Sequence, residues 1–188
     1  MLVLLATKNP HKLAEARVVL SPLGLEVKPL DVRKLEIQSD SLAEIARFAA
    51  ENIRVDVSAP VLVEDAGLFI DALGGFPGPY SAYVYSTIGL RGVLKLMEGV
   101  EDRHARFESA VAVRTPEGKV KVFTGVVEGA ITREPRGTRG FGFDPIFVPE
   151  GYSKTFAEMP TEEKCRISHR ARALRAAAVW ILEQVPQS

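Results

Sequence analysis

The amino terminus of this 188-residue chain joins a buried strand directly to the start of a helix. Residues 2–6 are a continuous apolar run, which is typical of a strand buried on both faces. Asn9 is a favoured helix N-cap, and Pro10 suits the first helical position because its missing N–H would be unpaired there. The apolar face of the predicted helix is formed by Leu13, Ala16, Val19 and Leu20. Such a strand-to-helix connection is typical of α/β proteins.

The start of this helix is also a predicted anion site. Unpaired amides and the positive end of the helix dipole would lie beside Thr7, Lys8 and Lys12, where a polyphosphate could bind. An ordinary strand-to-helix corner with solvated lysines fits the same residues. Neither the P-loop motif nor the Rossmann glycine fingerprint occurs in the sequence, so both of those nucleotide-binding folds lose their main support.

Composition narrows the class of protein. The length and the 46% hydrophobic content suit a single domain spanning residues 1–188. The 24 basic and 24 acidic residues cancel, which argues against binding to nucleic acid. No apolar run reaches the roughly 18 residues of a membrane span. Cys165 is the single cysteine and no secretory signal precedes it, so we expect a reducing compartment and a cytoplasmic protein.

The middle of the chain predicts further strands joined by a helix. Short apolar runs predict strands at residues 25–27 and 60–63. Ser41 and Glu44 have the spacing of a capping box, which predicts a helix that continues to about residue 56. Helix-linked strands of this kind favour parallel pairing.

The second half of the chain predicts a hairpin and two more helices. Residues 74–79, rich in glycine and proline, predict a stiff loop before a helix at about 87–97. Alternating β-branched residues predict an antiparallel hairpin from segments 105–115 and 119–133, and Ser168 is the predicted cap of the last helix. We therefore expect an α/β fold with a mixed β-sheet flanked by helices, and two lobes with a cleft between them.

Two adjacent acids, Glu64 and Asp65, follow directly on the strand predicted at 60–63, and a turn is predicted at Gly67. Ligands usually bind at the carboxyl ends of strands in open α/β sheets. Mg²⁺ prefers carboxylate oxygens and is often shared with substrate phosphates, so the acids predict a metal–nucleotide site, with Glu36 as a third candidate ligand. Solvated strand-end charges are the alternative, although apolar residues on both sides indicate that the acids need partners.

Six short motifs occur in order between about residues 3 and 180: Thr7 to Lys12, Glu64 to Leu68, Gly75 to Ser81, Gly140 to Phe147, Thr155 to Met159 and Ser168 to Arg170. With this set the chain resembles the inosine triphosphate pyrophosphatase family. The resemblance implies hydrolysis of ITP, dITP and XTP to the nucleoside monophosphate and pyrophosphate, with Mg²⁺, on an elongated mixed sheet between two lobes. It also implies a homodimer, for which the aromatic segment 76–85 is the predicted contact.

The resemblance also implies roles by position. Asp65 would be the general base and a metal ligand with Glu36, and Glu64 is a further candidate ligand. The triphosphate would contact Thr7, Lys8, Asn9, Pro10, His11 and Lys12. The remainder of the nucleotide would contact Ala66, Phe141, Gly142, Phe143, Asp144, Lys164, His169 and Arg170. Among these, Phe141 would stack on the base, and Arg170 would donate to the C6 oxygen that hypoxanthine and xanthine carry and adenine lacks.

Two positions depart from the family pattern. Ala66 stands where many relatives have Ser or Thr, so only a backbone contact is implied there. The second helix has no lysine in the stretch 47–50, which leaves open whether Arg47 replaces the phosphate-facing lysine of several relatives.

Two other functions fit the sequence less well. Septum-inhibitor-like pyrophosphatases for modified pyrimidines lack support from the motifs at 141–145 and 168–170. A nucleotide-binding module without turnover is disfavoured because all three acids are present.

Overall fold

The fold is a mixed α/β arrangement around one sheet, and a computed structural model describes it for residues 1–184. The strands are β1 (Leu2–Leu5), β2 (Glu26–Pro29), β3 (Val61–Ile70), β4 (Pro77–Gly78), β5 (His104–Arg114), β6 (Val120–Ile131) and β7 (Phe147–Pro149). The helices are α1 (Pro10–Leu20), α2 (Leu42–Asn52), α3 (Ser81–Thr87), α4 (Gly89–Leu96), α5 (Thr161–Ile167) and α6 (His169–Glu183). None of these helices is long and apolar enough to cross a membrane.

The sheet has the strand order β2-β1-β3-β5-β6-β7, and β4 pairs with β3 beside this path. β1 runs parallel to β2 and β3, whereas the other pairings are antiparallel. The mixed sheet predicted from helix-linked strands and a later hairpin is therefore confirmed. β1 pairs only with the start of β3, so β3 continues past the carboxyl end of β1.

Three predicted helix caps are confirmed. The Asn9 Oδ1 accepts the amides of His11 and Lys12 at 2.9 and 3.3 Å. The Ser41 Oγ accepts the amide of Glu44 at 3.2 Å, and the Ser168 side chain caps α6 in the same way. These side chains satisfy amides that the first turn of a helix leaves unpaired.

The prediction that β3 ends at residue 63 and turns at Gly67 is wrong. β3 pairs with β5 in continuous register from Val61 to Ile70. Gly67 serves a close approach instead of a turn, because a Cβ there would lie 2.2 Å from the Gly78 carbonyl oxygen. The two acids therefore lie in the middle of a strand.

Two helix boundaries also differ from the prediction. α2 ends at Asn52, before the expected residue 56. The helix expected at about 87–97 is α4, and α3, which was not predicted, precedes it; the two helices meet at Gly89, whose φ is +62°. A left-handed backbone at that position interrupts the helix and is readily adopted only by glycine.

The two faces of β3 pack against different helices. Leu62 lies in the apolar cluster of α1 and α6, whereas Val61 and Val63 lie in the cluster of α2. Farther along, Leu68 and Ile70 pack with residues of α3, α4 and the segment 143–159. Because side chains alternate along a strand, Glu64 shares the face of Leu62 and Asp65 lies on the opposite face.

Candidate functional site

A cavity of about 1150 Å³, here called the central cavity, lies next to the carboxyl end of β1. Its walls come from the loop after β1, the segment before α2, the middle of β3, the start of α3, the loop before β7 and the start of α6. Of the predicted site residues, it is lined by Thr7, Lys8, Asn9, His11, Lys12, Glu36, Asp65, Ala66, Phe141, Gly142, Phe143, Asp144, His169 and Arg170. Residues that are distant in sequence are thus brought together.

Three predicted site residues are not among those that line the central cavity: Pro10, Glu64 and Lys164. Pro10 is exposed as the first residue of α1, whereas Glu64 and Lys164 are buried behind the cavity wall. Arg47 is exposed on α2 and does not line the cavity either.

The start of α1 differs from the prediction in one respect. The amides of His11 and Lys12 donate to Asn9, and the amide of Asn9 donates to the Thr7 Oγ1 at 3.1 Å. The expectation that these amides are free is therefore wrong. The positive end of the helix dipole remains, together with the ammonium groups of Lys8 and Lys12, as the source of attraction for an anion.

Six side chains of alternating charge, three of which line the cavity, form a connected series, here called the charge chain. Each member contacts the next, and all but Lys12 are buried. In order they are Asp144, Lys164, Glu15, Arg170, Glu64 and Lys12. The Nζ of Lys164 lies 2.7 Å from Asp144, and Glu64 lies 3.0 Å from the Nε of Arg170 and 2.8 Å from the Nζ of Lys12. Buried charges of this kind are tolerated only when each is paired.

Both oxygens of Glu64 are used within the charge chain. Its Oε1 accepts from the Nε of Arg170 and from the Ser109 hydroxyl, and its Oε2 pairs with Lys12. Burial would raise the pKa of Glu64, but the charges of Arg170 and Lys12 hold that pKa well below its usual range. Glu64 is therefore ionised, and it lies against Arg170 and Lys12 instead of lining the cavity.

Asp65 has a different environment from its neighbour. It is half-buried in the cavity wall, and its side chain makes no hydrogen bond with residues 1–184. Burial raises the pKa of Asp65 to about 6, the charges of Glu64 and Glu36 act in the same direction, and Lys12 and Lys34 oppose them. A carboxyl with such a pKa is ionised near pH 7 and is close to the range suited to a general base.

Glu36 and Asp65 face the same cavity and could hold a divalent cation. No three His, Cys, Asp or Glu side chains of residues 1–184 come together as a metal cluster. Mg²⁺ is usually bound by one or two carboxylates, with water and substrate phosphates completing the shell. Two carboxylates facing one cavity fit that requirement, and Asp65 has no competing hydrogen bond within the described chain.

Phe141 lies between the helix start and the charge chain. Its ring stacks on the His11 imidazole with centroids 5.2 Å apart, and the Arg170 guanidinium carbon lies 5.2 Å from the same ring centroid. The Phe141 amide donates to the Asp144 Oδ2 at 3.1 Å, which ties the loop to the charge chain. Gly140 allows this contact, because a Cβ there would lie 2.1 Å from that oxygen.

His169 and Arg170 begin α6 and reach the cavity in different ways. The His169 ring stacks on Phe107 with centroids 4.6 Å apart, and burial lowers its pKa well below the usual value, so the ring is neutral. Its Nδ1 has no hydrogen-bond partner in the described structure. Arg170 uses Nε on Glu64 and Nη1 on Glu15, which leaves its Nη2 for a ligand.

Sequence reasoning missed Glu15 and Lys34. Glu15 is buried and joins Lys164 to Arg170. Its position in the sequence indicates that it is buried, because Glu15 lies three residues after Lys12 and four before Val19, on the face that α1 buries. Lys34 lies in an irregular segment, where no periodicity indicates which side chains face inward.

Comparison with known proteins gave matches along nearly the whole chain. The model of the Ham1 family matches residues 3–180. The dITP/XTP pyrophosphatase of Ignicoccus hospitalis is 60% identical, with 92% of both chains covered. That of Hyperthermus butylicus is 53% identical and covers 98% of this chain and 96% of its own. The solved structure of a HAM1 protein from Coxiella burnetii superposes with a TM-score of 0.83 at 32% identity, covering 97% of this chain and 99% of that one.

Proposed function

The chain belongs to the Ham1 family, and from this we propose that it is a dITP/XTP pyrophosphatase, as the resemblance seen in the sequence implies. The reaction is hydrolysis of ITP, dITP and XTP to the nucleoside monophosphate and pyrophosphate. One observation carries the proposal: a single cavity contains a lysine-flanked helix start, two carboxylates and an aromatic ring beside an arginine. These groups match the phosphates, the metal and the base of one nucleotide.

Glu36 and Asp65 would hold Mg²⁺, which supplies neutralisation of phosphate charge and a lower pKa for a bound water. The remaining chemistry belongs to side chains. Asp65 accepts a proton from the attacking water at a carboxylate oxygen. The water oxygen forms a bond to the α-phosphorus while the bond from that phosphorus to the bridging oxygen breaks, and pyrophosphate leaves. Lys8, Lys12 and the helix dipole stabilise the charge on the leaving group.

Arg170 and Phe141 select the base in this proposal. The free Nη2 of Arg170 donates to the C6 oxygen of hypoxanthine or xanthine, and the charge chain holds the guanidinium in place. Adenine carries an amine there and leaves the donor unpaired. Phe141 supplies stacking, which is tolerant of base identity. His11 covers one face of this ring, so a base that stacks there displaces the exposed imidazole.

The experiment is a panel of nucleoside triphosphates assayed for pyrophosphate release with Mg²⁺ and, separately, with EDTA. We expect cleavage of ITP, dITP and XTP with Mg²⁺, slow cleavage of ATP, and none with EDTA. A preference for modified pyrimidine triphosphates would instead identify a septum-inhibitor-like activity. Tight binding of dITP without pyrophosphate release would identify a binding module, and either result would overturn the proposal.

We also propose a homodimer formed through the aromatic segment 76–85. Phe76, Tyr80, Tyr83 and Tyr85 all expose large parts of their rings, with Tyr83 70% exposed. Several exposed aromatic side chains within one short segment commonly mark an interface. Light scattering should give twice the chain mass at micromolar concentration, and Tyr83→Glu should reduce it. A wild-type monomer would reject the dimer.

Two architectural expectations accompany the proposal. The chain forms one domain over residues 1–188, of which residues 185–188 lie outside the described part. Its two lobes are built on the α1–α6 cluster and the α3–α4 cluster, with the central cavity as the cleft.

A cytoplasmic location suits the buried Cys165, whose thiol has a pKa raised to about 11 by burial and is therefore unreactive.

A further inference from the structure

The central cavity contains more positive charge than the proposed contacts use. Arg33 and Lys34 line it from the irregular segment between β2 and α2. Neither residue has a role in the steps above. Arg47, the basic residue of the second helix, is exposed and does not line the cavity. The extra charge therefore comes from the segment before α2.

Lys34 differs from the other two lysines of the cavity in its partner and its burial. Its Nζ lies 3.4 Å from the Glu36 Oε1, and the two side chains are 23% and 60% exposed. Lys12 is held at 2.8 Å by Glu64, which is buried, and Lys8 is 79% exposed. Lys34 is thus partly desolvated, yet paired only with an exposed carboxylate in residues 1–184.

This combination favours exchange of partners when an anion enters. An ion pair with a long N–O distance between partly exposed groups contributes little to stability, so breaking it costs little free energy. A charge-assisted contact to a phosphate oxygen is shorter and stronger, particularly where water is partly excluded. The charge of Lys12 and that of Arg170 are already balanced by Glu64 and Glu15, so Lys34 adds positive charge that the charge chain does not neutralise.

We propose that Lys34 binds the phosphate chain of the substrate and exchanges Glu36 for a phosphate oxygen as it does so. This inference rests on the proposed function and adds a phosphate-binding residue to it. The exchange also releases the Glu36 carboxylate, which is one of the two groups assigned to Mg²⁺ above. Lys34 therefore pairs with Glu36 in the absence of substrate and with a phosphate oxygen when substrate is bound.

Binding of inorganic tripolyphosphate, measured by titration calorimetry in EDTA at low ionic strength, tests this directly. We expect Lys34→Ala to bind about tenfold more weakly than wild type, and Lys34→Arg to stay within about threefold of it. The matched control is Lys28→Ala, which removes a lysine paired with Glu26 at 3.3 Å on β2, outside the cavity. Its affinity should equal that of wild type.

A second measurement separates phosphate binding from a structural effect on the loop. Lys34→Ala should raise the KM for dITP about tenfold but leave inhibition by dIMP unchanged, because dIMP lacks the β- and γ-phosphates. Equal tripolyphosphate affinity of Lys34→Ala and wild type, equal weakening of tripolyphosphate and dIMP, or no wild-type binding would overturn the inference. If wild type cleaves no triphosphate while Lys34→Ala still weakens tripolyphosphate binding, the proposed function fails and the role of Lys34 stands.

Discussion

Replacing Asp65 by Asn should abolish turnover and stabilise the fold at the same time. The variant keeps the shape of the side chain but lacks the negative charge for Mg²⁺ and the basic oxygen for the water proton. Burial raises the pKa of Asp65 from its ordinary 3.8 to about 6 in the folded protein. The folded state therefore disfavours the ionised carboxylate that the proposed mechanism uses.

The size of the stabilisation follows from that difference in pKa. At pH 7 the carboxyl is ionised in both states, and the difference corresponds to about 3 kcal/mol of destabilisation. Solvent at this half-buried site and the cost of placing an amide there reduce the expected net gain to about 1–2 kcal/mol. An acid with a raised pKa carries its full penalty above the folded value, so the gain should shrink by about half between pH 7 and pH 5.

Guanidinium chloride unfolding in EDTA at both pH values, beside a pyrophosphate-release assay, measures these effects. Asp56→Asn makes the same chemical change at an exposed position outside the cavity and should alter neither quantity. Hydrolysis at the wild-type rate by folded Asp65→Asn would remove Asp65 from the mechanism. A variant less stable than wild type at pH 7 would refute the burial argument.

Three further predictions concern the charge chain and its neighbours. Arg170→Lys retains a cation between Glu15 and Glu64 but lacks the several N–H donors of the guanidinium, so the ratio of ITP to ATP hydrolysis should fall about ten- to a hundredfold. Phe141→Ala should weaken the binding of all purine triphosphates about equally, and an unchanged ratio in Arg170→Lys would place base selection elsewhere. Lys12→Ala should weaken dITP binding by about 1.5–3 kcal/mol, most at low ionic strength, and calorimetry that finds no change would leave Lys12 a structural partner of Glu64. His169 is neutral in the folded protein, whereas in the unfolded chain it binds a proton below about pH 6.5, so the free energy of unfolding should decrease by about 1.4 kcal/mol for each pH unit below that value. Denaturant titration of His169→Gln should give a shallower pH dependence than wild type, and parallel curves would contradict the burial of this ring.

Local chemistry made the helix caps and the hairpin predictable. Asn9, Ser41 and Ser168 each accept amides of their own helix, and neighbouring sequence is enough to indicate this. The extent of β3 depended on distant partners instead. β5 pairs with the second half of β3, and the Gly78 carbonyl on β4 lies too close to Gly67 for a side chain there. The residues around Gly67 do not by themselves indicate either contact.

The sequence indicated many of the side chains that line the central cavity, but not which of the two adjacent acids faces it. Adjacent acids suggested a shared metal site, whereas the pleat of β3 directs Glu64 toward α1 and α6 and leaves Asp65 to the cavity. The charge of Glu15 gave no hint of its partners, because Lys164 and Arg170 come from the far end of the chain. Such pairings need the tertiary structure.

The charge chain links α1 and α6 across the wall of the central cavity. Glu64 contacts Lys12 with one oxygen and Arg170 with the other, so the start of α1 and the start of α6 share one carboxylate on β3. Helices from opposite ends of the sequence are thereby held at a set separation. A ligand that displaces Lys12 or Arg170 from Glu64 would therefore disturb the other cation too, so the two walls of the cavity respond to it together.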